Sequence, residues 1–172
     1  MSLRSFFGLA GKTAEDSAPF DAACGMALLQ EKKFDESAAY FARHLPGNPL
    51  AYYGLAQTKF RRDVAHLSVE KMREIIGLLE QAIALSPGIA DAHFMGGMAC
   101  NAAAGFQLGP YNKDRALLVA GACREPDHFL AEARQFLGRA GALDPGFSSI
   151  IAGEMTLNEK LQALSDRLKG EL

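Results

Sequence analysis

The chain has 172 residues, of which 49% are hydrophobic and 22% are charged. That length suits one domain with its own core, and that composition excludes a wholly disordered chain. The formal net charge of −2 gives no reason to expect a nucleic-acid partner, because phosphate binding needs clustered and unbalanced Lys and Arg.

Cys24, Cys100 and Cys123 stand far apart in the sequence and form no CxxC pair. Their spacing predicts neither a zinc site nor a disulfide framework, so we expect each to be a small buried side chain in a reducing compartment. No apolar run is long enough to span a membrane, and the run at residues 6–11 is too short for a signal peptide. We therefore predict a cytoplasmic protein.

Apolar residues recur at intervals of three and four along most of the chain, which is the spacing of amphipathic helices. Sustained alternation and β-branched clusters, the signals of strands, are nearly absent. The spacing predicts helices over the segments 19–31, 34–45, 49–62, 68–85, 89–103, 127–143 and 157–169.

The ends of these segments carry residues that are typical of helix termini. Pro49 fits a first helical turn, where the missing N–H costs nothing. Ser68 and Asp127 are predicted N-caps, and Thr156 with Glu159 has the spacing of a capping box. The connections between most segments are short, so we expect neighbouring helices to be antiparallel.

An internal repeat favours one architecture. Residues 82–87 read AIALSP and residues 140–145 read AGALDP, so two helices end in the same pattern of small residues and proline. Small residues, Gly25, Ala56 and Gly97, also stand within the first helix of three successive hairpins. These sequences resemble the tetratricopeptide repeat (TPR), a helical hairpin with a period of about 34 residues and small residues where its helices cross.

The resemblance covers about residues 18–147 and implies an all-α fold. Antiparallel helical hairpins would stack as a short right-handed solenoid with a C-terminal capping helix. Ser37 and Phe41 would take the small and aromatic positions in the second helix of the first unit. We predict three regions: a flexible N-terminal tail at 1–17, a TPR-like repeat domain at 18–155 and the capping helix at 156–172.

The third unit departs most from the family pattern, because an insert at about residues 104–126 lengthens it. Gly109-Pro110 and Glu125-Pro126 are predicted to break helices there, and residues 112–123 have a composition that allows an extra short helix. Insertions in repeat proteins lie on loops and often on the binding side. The insert is therefore either an element that sets specificity or a passive loop.

The last predicted helix has one apolar stripe and a polar remainder, as a terminal capping helix requires. The stripe consists of Leu157, Leu161, Leu164 and Leu168. The alternative is that this stripe is a self-association seam, which would make the chain a homodimer.

The N-terminal tail carries Phe6, Phe7 and Leu9 beside Arg4 and Lys12. These residues allow contact with a membrane surface, docking onto another protein or a second copy, or folding back onto this chain's own groove. The tail is short and carries little positive charge, so we expect no stable membrane insertion.

The sequence contains no pattern that is typical of a catalytic, metal or cofactor site. Asp91 and His93 lie two residues apart, so a helix points them in different directions. The phosphate-binding, nucleophile and zinc-protease motifs are not found in it. The four histidines are scattered: His44, His66, His93 and His128. We therefore expect no catalytic residues, no metal and no cofactor, and predict that the protein is not an enzyme.

The TPR resemblance implies a concave face lined by one side of the first helix of each unit. Aromatic and Met side chains interleaved with amides suit a groove for a peptide or a helix, because apolar anchors supply affinity and amides orient the backbone. The alternative is that some of these residues pack against the insert or the tail. The predicted groove residues are Met26, Leu29, Tyr53, Gln57, Phe60, Arg61, Phe94, Met98 and Asn101.

One subtype of the family is disfavoured by particular residues. TPR proteins that clasp the C-terminal carboxylate of chaperones use Lys and Asn at fixed positions, and the first-repeat positions here hold Ala22 and Met26. The sequence predicts a protein-interaction module, acting as an adaptor, a scaffold or an assembly chaperone for another protein. The alternatives are a secretion-type chaperone and a structural subunit of a larger complex.

Overall fold

The computed structural model describes residues 19–113 and 124–170, and every regular element within them is helical. Single turns of 3-10 helix, Val64–His66 and Pro145–Phe147, precede the fourth and the seventh α-helix of this part of the chain. The α-helices are α1 Ala22–Gln30, α2 Phe34–Arg43, α3 Pro49–Arg62, α4 Val69–Leu85, α5 Ala90–Lys113, α6 Arg124–Leu143 and α7 Ser148–Gly170.

The prediction of an all-helical chain is confirmed for these residues, and each predicted segment overlaps one helix. The Asn48 side chain accepts hydrogen bonds from the backbone N–H groups that open α3, and Pro49 occupies its first turn. Ser68 caps α4 as predicted, because its hydroxyl accepts from the Lys71 N–H at 3.3 Å. Among the described helices, none has the length and apolarity to cross a bilayer.

The predicted helix break at Gly109-Pro110 is wrong, because α5 continues through it to Lys113. A proline inside a helix removes one hydrogen bond, but α5 packs against α6 and α7 and buries Leu108 completely in this region. Glu125-Pro126 lies in the first turn of α6, where proline is tolerated. The tail at 1–17 and most of the possible helix at 112–123 lie outside the described residues.

Two predicted helix starts are also wrong. Asp127 is not an N-cap, since α6 begins at Arg124. Thr156 lies within α7, where its hydroxyl donates to the Ala152 carbonyl oxygen at 2.9 Å. α7 begins at Ser148 because the Asp144 carboxylate accepts from the Gly146 N–H at 2.8 Å and closes a tight turn before it.

Each described helix packs against the next one, and α1 also contacts α3 while α5 contacts α7. The main core lies among α3, α4, α5 and α6, where small residues on α5 let the neighbouring helices approach closely. A side chain on Gly97 of α5 would place its Cβ less than 3.0 Å from Leu137 of α6, closer than real Cβ atoms come. The largest fully buried side chains of this core are Met72, Ile75, Leu79 and Leu130.

Phe41 of α2 is fully buried between Gly25 of α1 and Gly54 of α3. A Cβ at either glycine would lie well under 3.0 Å from the Phe41 ring, so both positions need glycine for close contact. Beside the ring, the buried Ser37 hydroxyl donates to the Gly25 carbonyl oxygen at 3.0 Å and lies 2.9 Å from the Thr58 hydroxyl. These contacts join the first three helices.

α7 is attached to α5 and α6 by a buried polar network. The fully buried Asn158 side chain donates to Asn101 Oδ1 at 2.8 Å and to the Leu130 carbonyl oxygen at 2.9 Å. Arg134 donates to Asn158 Oδ1 at 2.8 Å, and the Asn101 amide donates to the Glu154 carbonyl oxygen at 3.0 Å. Buried polar groups with satisfied hydrogen bonds set a specific orientation of the helices that carry them.

The leucine stripe of the last helix is only partly available for other contacts. Leu161, Leu164 and Leu168 pack around Leu108 of α5, whereas Leu157 remains 42% exposed. Self-association through the last helix therefore stays a prediction, and within the stripe it would rely mainly on Leu157.

A second polar contact holds the far end of α7. The Asp127 carboxylate of α6 accepts from the Ser165 hydroxyl at 2.7 Å and from the Lys169 ammonium group. Partial burial acts to raise the pKa of Asp127, but the hydrogen bonds from Lys169 and Ser165 outweigh it and hold the pKa below its ordinary value.

Asp127→Asn is expected to lower the free energy of unfolding by about 1–2 kcal/mol at neutral pH, because it removes a charge-assisted contact. A lowered native pKa stabilises the fold above the unfolded pKa of about 3.9, and that contribution is lost as the pH falls through the native pKa. Urea unfolding of both proteins between neutral pH and pH ~3 checks this, since the difference should shrink with acid. The control is Asp35→Asn, at a carboxylate that is 94% exposed. A difference that is constant with pH would contradict the assignment.

Candidate functional site

An open groove of about 300 Å³ lies between α3 and α5. That volume is at the lower end of the range for ligand sites, roughly 300–1,000 Å³. The residues from each helix recur at intervals of three and four, so one face of α3 and one face of α5 line the groove. The lining residues are Tyr53, Gln57, Phe60 and Arg61 of α3, Asp91, Phe94, Met95 and Met98 of α5, and Phe147.

The structure brings most of the predicted groove residues together in this one place. The residues that were predicted and line the groove are Tyr53, Gln57, Phe60, Arg61, Phe94 and Met98. They come from the first helices of the second and third predicted units, α3 and α5, which line one groove although α4 separates them in sequence.

Met26, Leu29 and Asn101 were predicted for the same groove but lie elsewhere. Leu29 is buried, and Met26 packs against the small core around Phe41. Asn101 is only 1% exposed, because α7 packs over this part of α5. The Asn101 amide oxygen accepts a hydrogen bond from Asn158 of α7. The correction follows from the early start of α7, which places Glu154 beside Asn101.

Asp91, Met95 and Phe147 line the groove but were not among the predicted residues. Asp91 and Met95 precede Met98 by seven and three residues, so helical spacing alone would have placed them on the same face of α5 as Met98. Phe147 has no such local signal, because it comes from the turn between α6 and α7. Its ring stacks on Phe94 with the two centroids 5.0 Å apart and an interplanar angle of 23°.

The uncharged polar groups of the groove are the side chains of Tyr53 and Gln57 of α3. The Gln57 amide nitrogen donates to the Tyr53 hydroxyl, whereas the Gln57 amide oxygen is buried and has no hydrogen-bond partner among the described residues. Burial and, second, the charge of Asp91 raise the pKa of Tyr53 to about 12. Tyr53 is therefore a neutral phenol at physiological pH and acts as a hydrogen-bonding group.

Among the described residues, no histidine or cysteine side chain lines the groove. His93 is buried on another side of α5, where its Nε2 donates to the Pro87 carbonyl oxygen at 3.0 Å. Cys100 is buried as predicted, and burial raises the pKa of its thiol, but Cys24 is exposed, so the prediction was wrong for that residue. Cys123 lies outside the described residues. Within the described part of the chain, no three His, Cys, Asp or Glu side chains are grouped to hold a metal.

No protein-family model matches the chain, and no curated protein matches it. What the groove binds is therefore inferred from its own residues.

Proposed function

We propose that this chain is a TPR-like protein-interaction module that binds a peptide or helix of another protein in the groove between α3 and α5. The observation that carries this proposal is the composition of the groove. Its walls are mainly aromatic and Met side chains, with the Tyr53 and Gln57 pair as the main uncharged polar group. Large apolar anchors surrounded by a few orienting polar groups are typical of sites where proteins bind one another.

The TPR-like part of the proposal is supported by recurring packing positions. Three fully buried side chains each lie eight residues before a proline that follows their helix (49−41, 87−79 and 145−137 are each 8). Small residues in the preceding helices, such as Gly25 and Gly97, lie directly against two of them. A repeat places equivalent side chains at equivalent crossings, so this recurrence favours a repeated hairpin. The pairs are Phe41 and Pro49, Leu79 and Pro87, and Leu137 and Pro145.

As an adaptor, a scaffold or an assembly chaperone, the protein would present this groove to its partner without needing a reactive group. A cytoplasmic location fits the two free thiols of the described chain, Cys24 and Cys100, because reducing conditions keep thiols unpaired.

The double variant Tyr53→Ala/Phe94→Ala is expected to lose most binding of the natural partner, because it removes an aromatic anchor from each wall. Loss of two such anchors commonly costs 2 kcal/mol or more of binding free energy, which is about thirtyfold in affinity. The measurement is affinity capture from an extract of the cells that contain the protein, with the retained proteins identified by mass spectrometry and the affinity then measured with the purified partner.

The matched control is Phe106→Ala, which removes an aromatic ring that is 40% exposed on α5 and does not line the groove. Circular dichroism and thermal unfolding must show that all variants are folded. A partner retained equally by the wild type and the double variant would contradict the groove as the binding site. It would favour the structural-subunit alternative, with Ile150 and Leu157 as exposed apolar residues on α7.

A further inference from the structure

Arg61 of α3 and Asp91 of α5 lie on opposite walls of the groove, and both are exposed. Neither forms an ion pair or a hydrogen bond with any residue in 19–113 or 124–170. Their neighbours behave differently: Arg62 pairs with Asp63 at 3.2 Å, and Lys59 pairs with Glu74 at 2.8 Å. Among the described residues, the groove therefore contains one positive and one negative side chain that form no ion pair.

The charges of Arg61 and Asp91 both act on the Tyr53 hydroxyl. The charge of Asp91 raises the pKa of the Tyr53 hydroxyl, and the charge of Arg61 acts in the opposite direction. Tyr53 is half-buried in the α3 wall, and it lines the groove together with Arg61 of the same helix and Asp91 of α5. Exposed charges at the edge of a binding site contribute little affinity, but they orient the partner and select against wrong ones.

We propose that the occupant of this groove is a peptide segment of another protein in which a large apolar residue lies between a basic and an acidic residue. The basic side chain faces Asp91, the acidic side chain faces Arg61, and the apolar side chain enters between Phe60, Phe94 and Met98. This inference rests on the proposed function and adds the sequence class of the bound segment and the placement of its two charges.

The uncharged groups of the groove favour a peptide over other ligands. The Gln57 amide oxygen has no hydrogen-bond partner in the described part of the chain, and a rotation of its side chain would let it accept from a peptide N–H. Met95 and Met98 are flexible and adapt to apolar side chains of different shape. The charges of Arg61 and Asp91 cancel, whereas a nucleic-acid ligand would require an excess of positive charge.

The test is a selection of displayed random peptides on the full chain, carried out in parallel on wild type and on the charge-exchanged variant Arg61→Glu/Asp91→Lys. Wild type is expected to select an apolar residue flanked by basic and acidic residues in one order. The variant is expected to select the same kind of apolar residue with the two charges in the reverse order.

Synthetic peptides then give the magnitude by fluorescence anisotropy. The wild-type peptide is expected to bind the charge-exchanged variant about tenfold more weakly, and a peptide with its own charges exchanged is expected to recover that loss. The matched control is Lys59→Glu/Glu74→Lys, which exchanges a charge pair that does not line the groove. It should leave the affinity unchanged. Circular dichroism verifies that both variants are folded.

Failure of this inference differs from failure of the proposed function. Peptides that share an apolar anchor but no charge order, and that lose affinity with Tyr53→Ala/Phe94→Ala, would overturn the charge order while the groove remains a peptide site. If no peptide is selected, or if the selected peptides bind the Tyr53→Ala/Phe94→Ala variant as tightly as wild type, the charge order and the proposed function are both overturned. A groove already filled by a second copy, or by residues 1–18, would give that second result.

Discussion

Phe41→Ala is expected to lower the free energy of unfolding by about 3–5 kcal/mol. The Phe41 ring is fully buried and touches α1 and α3 at Gly25 and Gly54, neither of which has a side chain that can move into the space. The change therefore removes apolar contacts and leaves a cavity that the backbone cannot readily fill. Urea unfolding followed by circular dichroism measures the difference.

Phe106→Ala serves as the control, because the same atoms are removed from a ring that is 40% exposed. Its cost should stay below about 1 kcal/mol. A cost for Phe41→Ala as small as that of Phe106→Ala would contradict the packing of α2 between α1 and α3.

The contact between Phe41 and Gly54 can be tested directly by a double-mutant cycle. In the wild type, Gly54→Ala should destabilise the fold, because its Cβ would overlap the Phe41 ring. In the Phe41→Ala background that overlap is gone, and alanine should stabilise α3 by about 1 kcal/mol relative to glycine. If Gly54→Ala has the same effect in both backgrounds, the ring does not occupy the space in front of Gly54.

Asn158→Leu is expected to lower the free energy of unfolding by about 2–4 kcal/mol, because it leaves several buried groups without partners. The leucine has the same number of side-chain heavy atoms and the same branching as asparagine but makes no hydrogen bonds. Asn101 and the Leu130 carbonyl oxygen each lose a donor, and Arg134 loses an acceptor. Each unsatisfied buried group costs about 1–3 kcal/mol, and relaxation of the network reduces the sum.

The loss should be concentrated in α7, and amide hydrogen exchange can locate it. Exchange in α7 is expected to accelerate more than exchange in α2 and α3, which contribute no residue to the network's hydrogen bonds described above. Leu157→Ala, next to Asn158 but 42% exposed, is the control and should have a small effect. Uniform acceleration across all helices would show that α7 does not unfold separately from the rest.

Asn158→Leu concerns packing that also positions one residue of the groove. Phe147 ends the turn before α7, and its ring stacks on Phe94 in the groove wall. Detachment of α7 would therefore release Phe147 from the groove, while the α3 and α5 residues that line it remain in place. This link between α7 and the groove could not be found from sequence, because the predicted last helix began at residue 157.

Much of the candidate site could be predicted, because its signals are local. Residues that recur every three or four positions share a helix face, so Tyr53, Gln57 and Phe60 are grouped by spacing alone. The same rule groups Phe94 with Met98. That these two faces oppose each other was inferred only through the TPR resemblance, since spacing does not say which helices are neighbours.

Local sequence signals were sufficient to predict the helical class of the described chain, the approximate extent of most helices and small residues at crossings such as Gly25 and Gly97. These features depend on propensity, capping and periodicity, which act over a few neighbouring residues. Tertiary packing decided what covers each face. Burial of Leu108 outweighs the helix-breaking preference of Gly109-Pro110, so α5 is longer than predicted. Contact with α7 buries Asn101 outside the groove, whereas Phe147 lines the groove. Such outcomes depend on contacts between residues distant in sequence, whose free energies exceed local preferences of about 1 kcal/mol per residue.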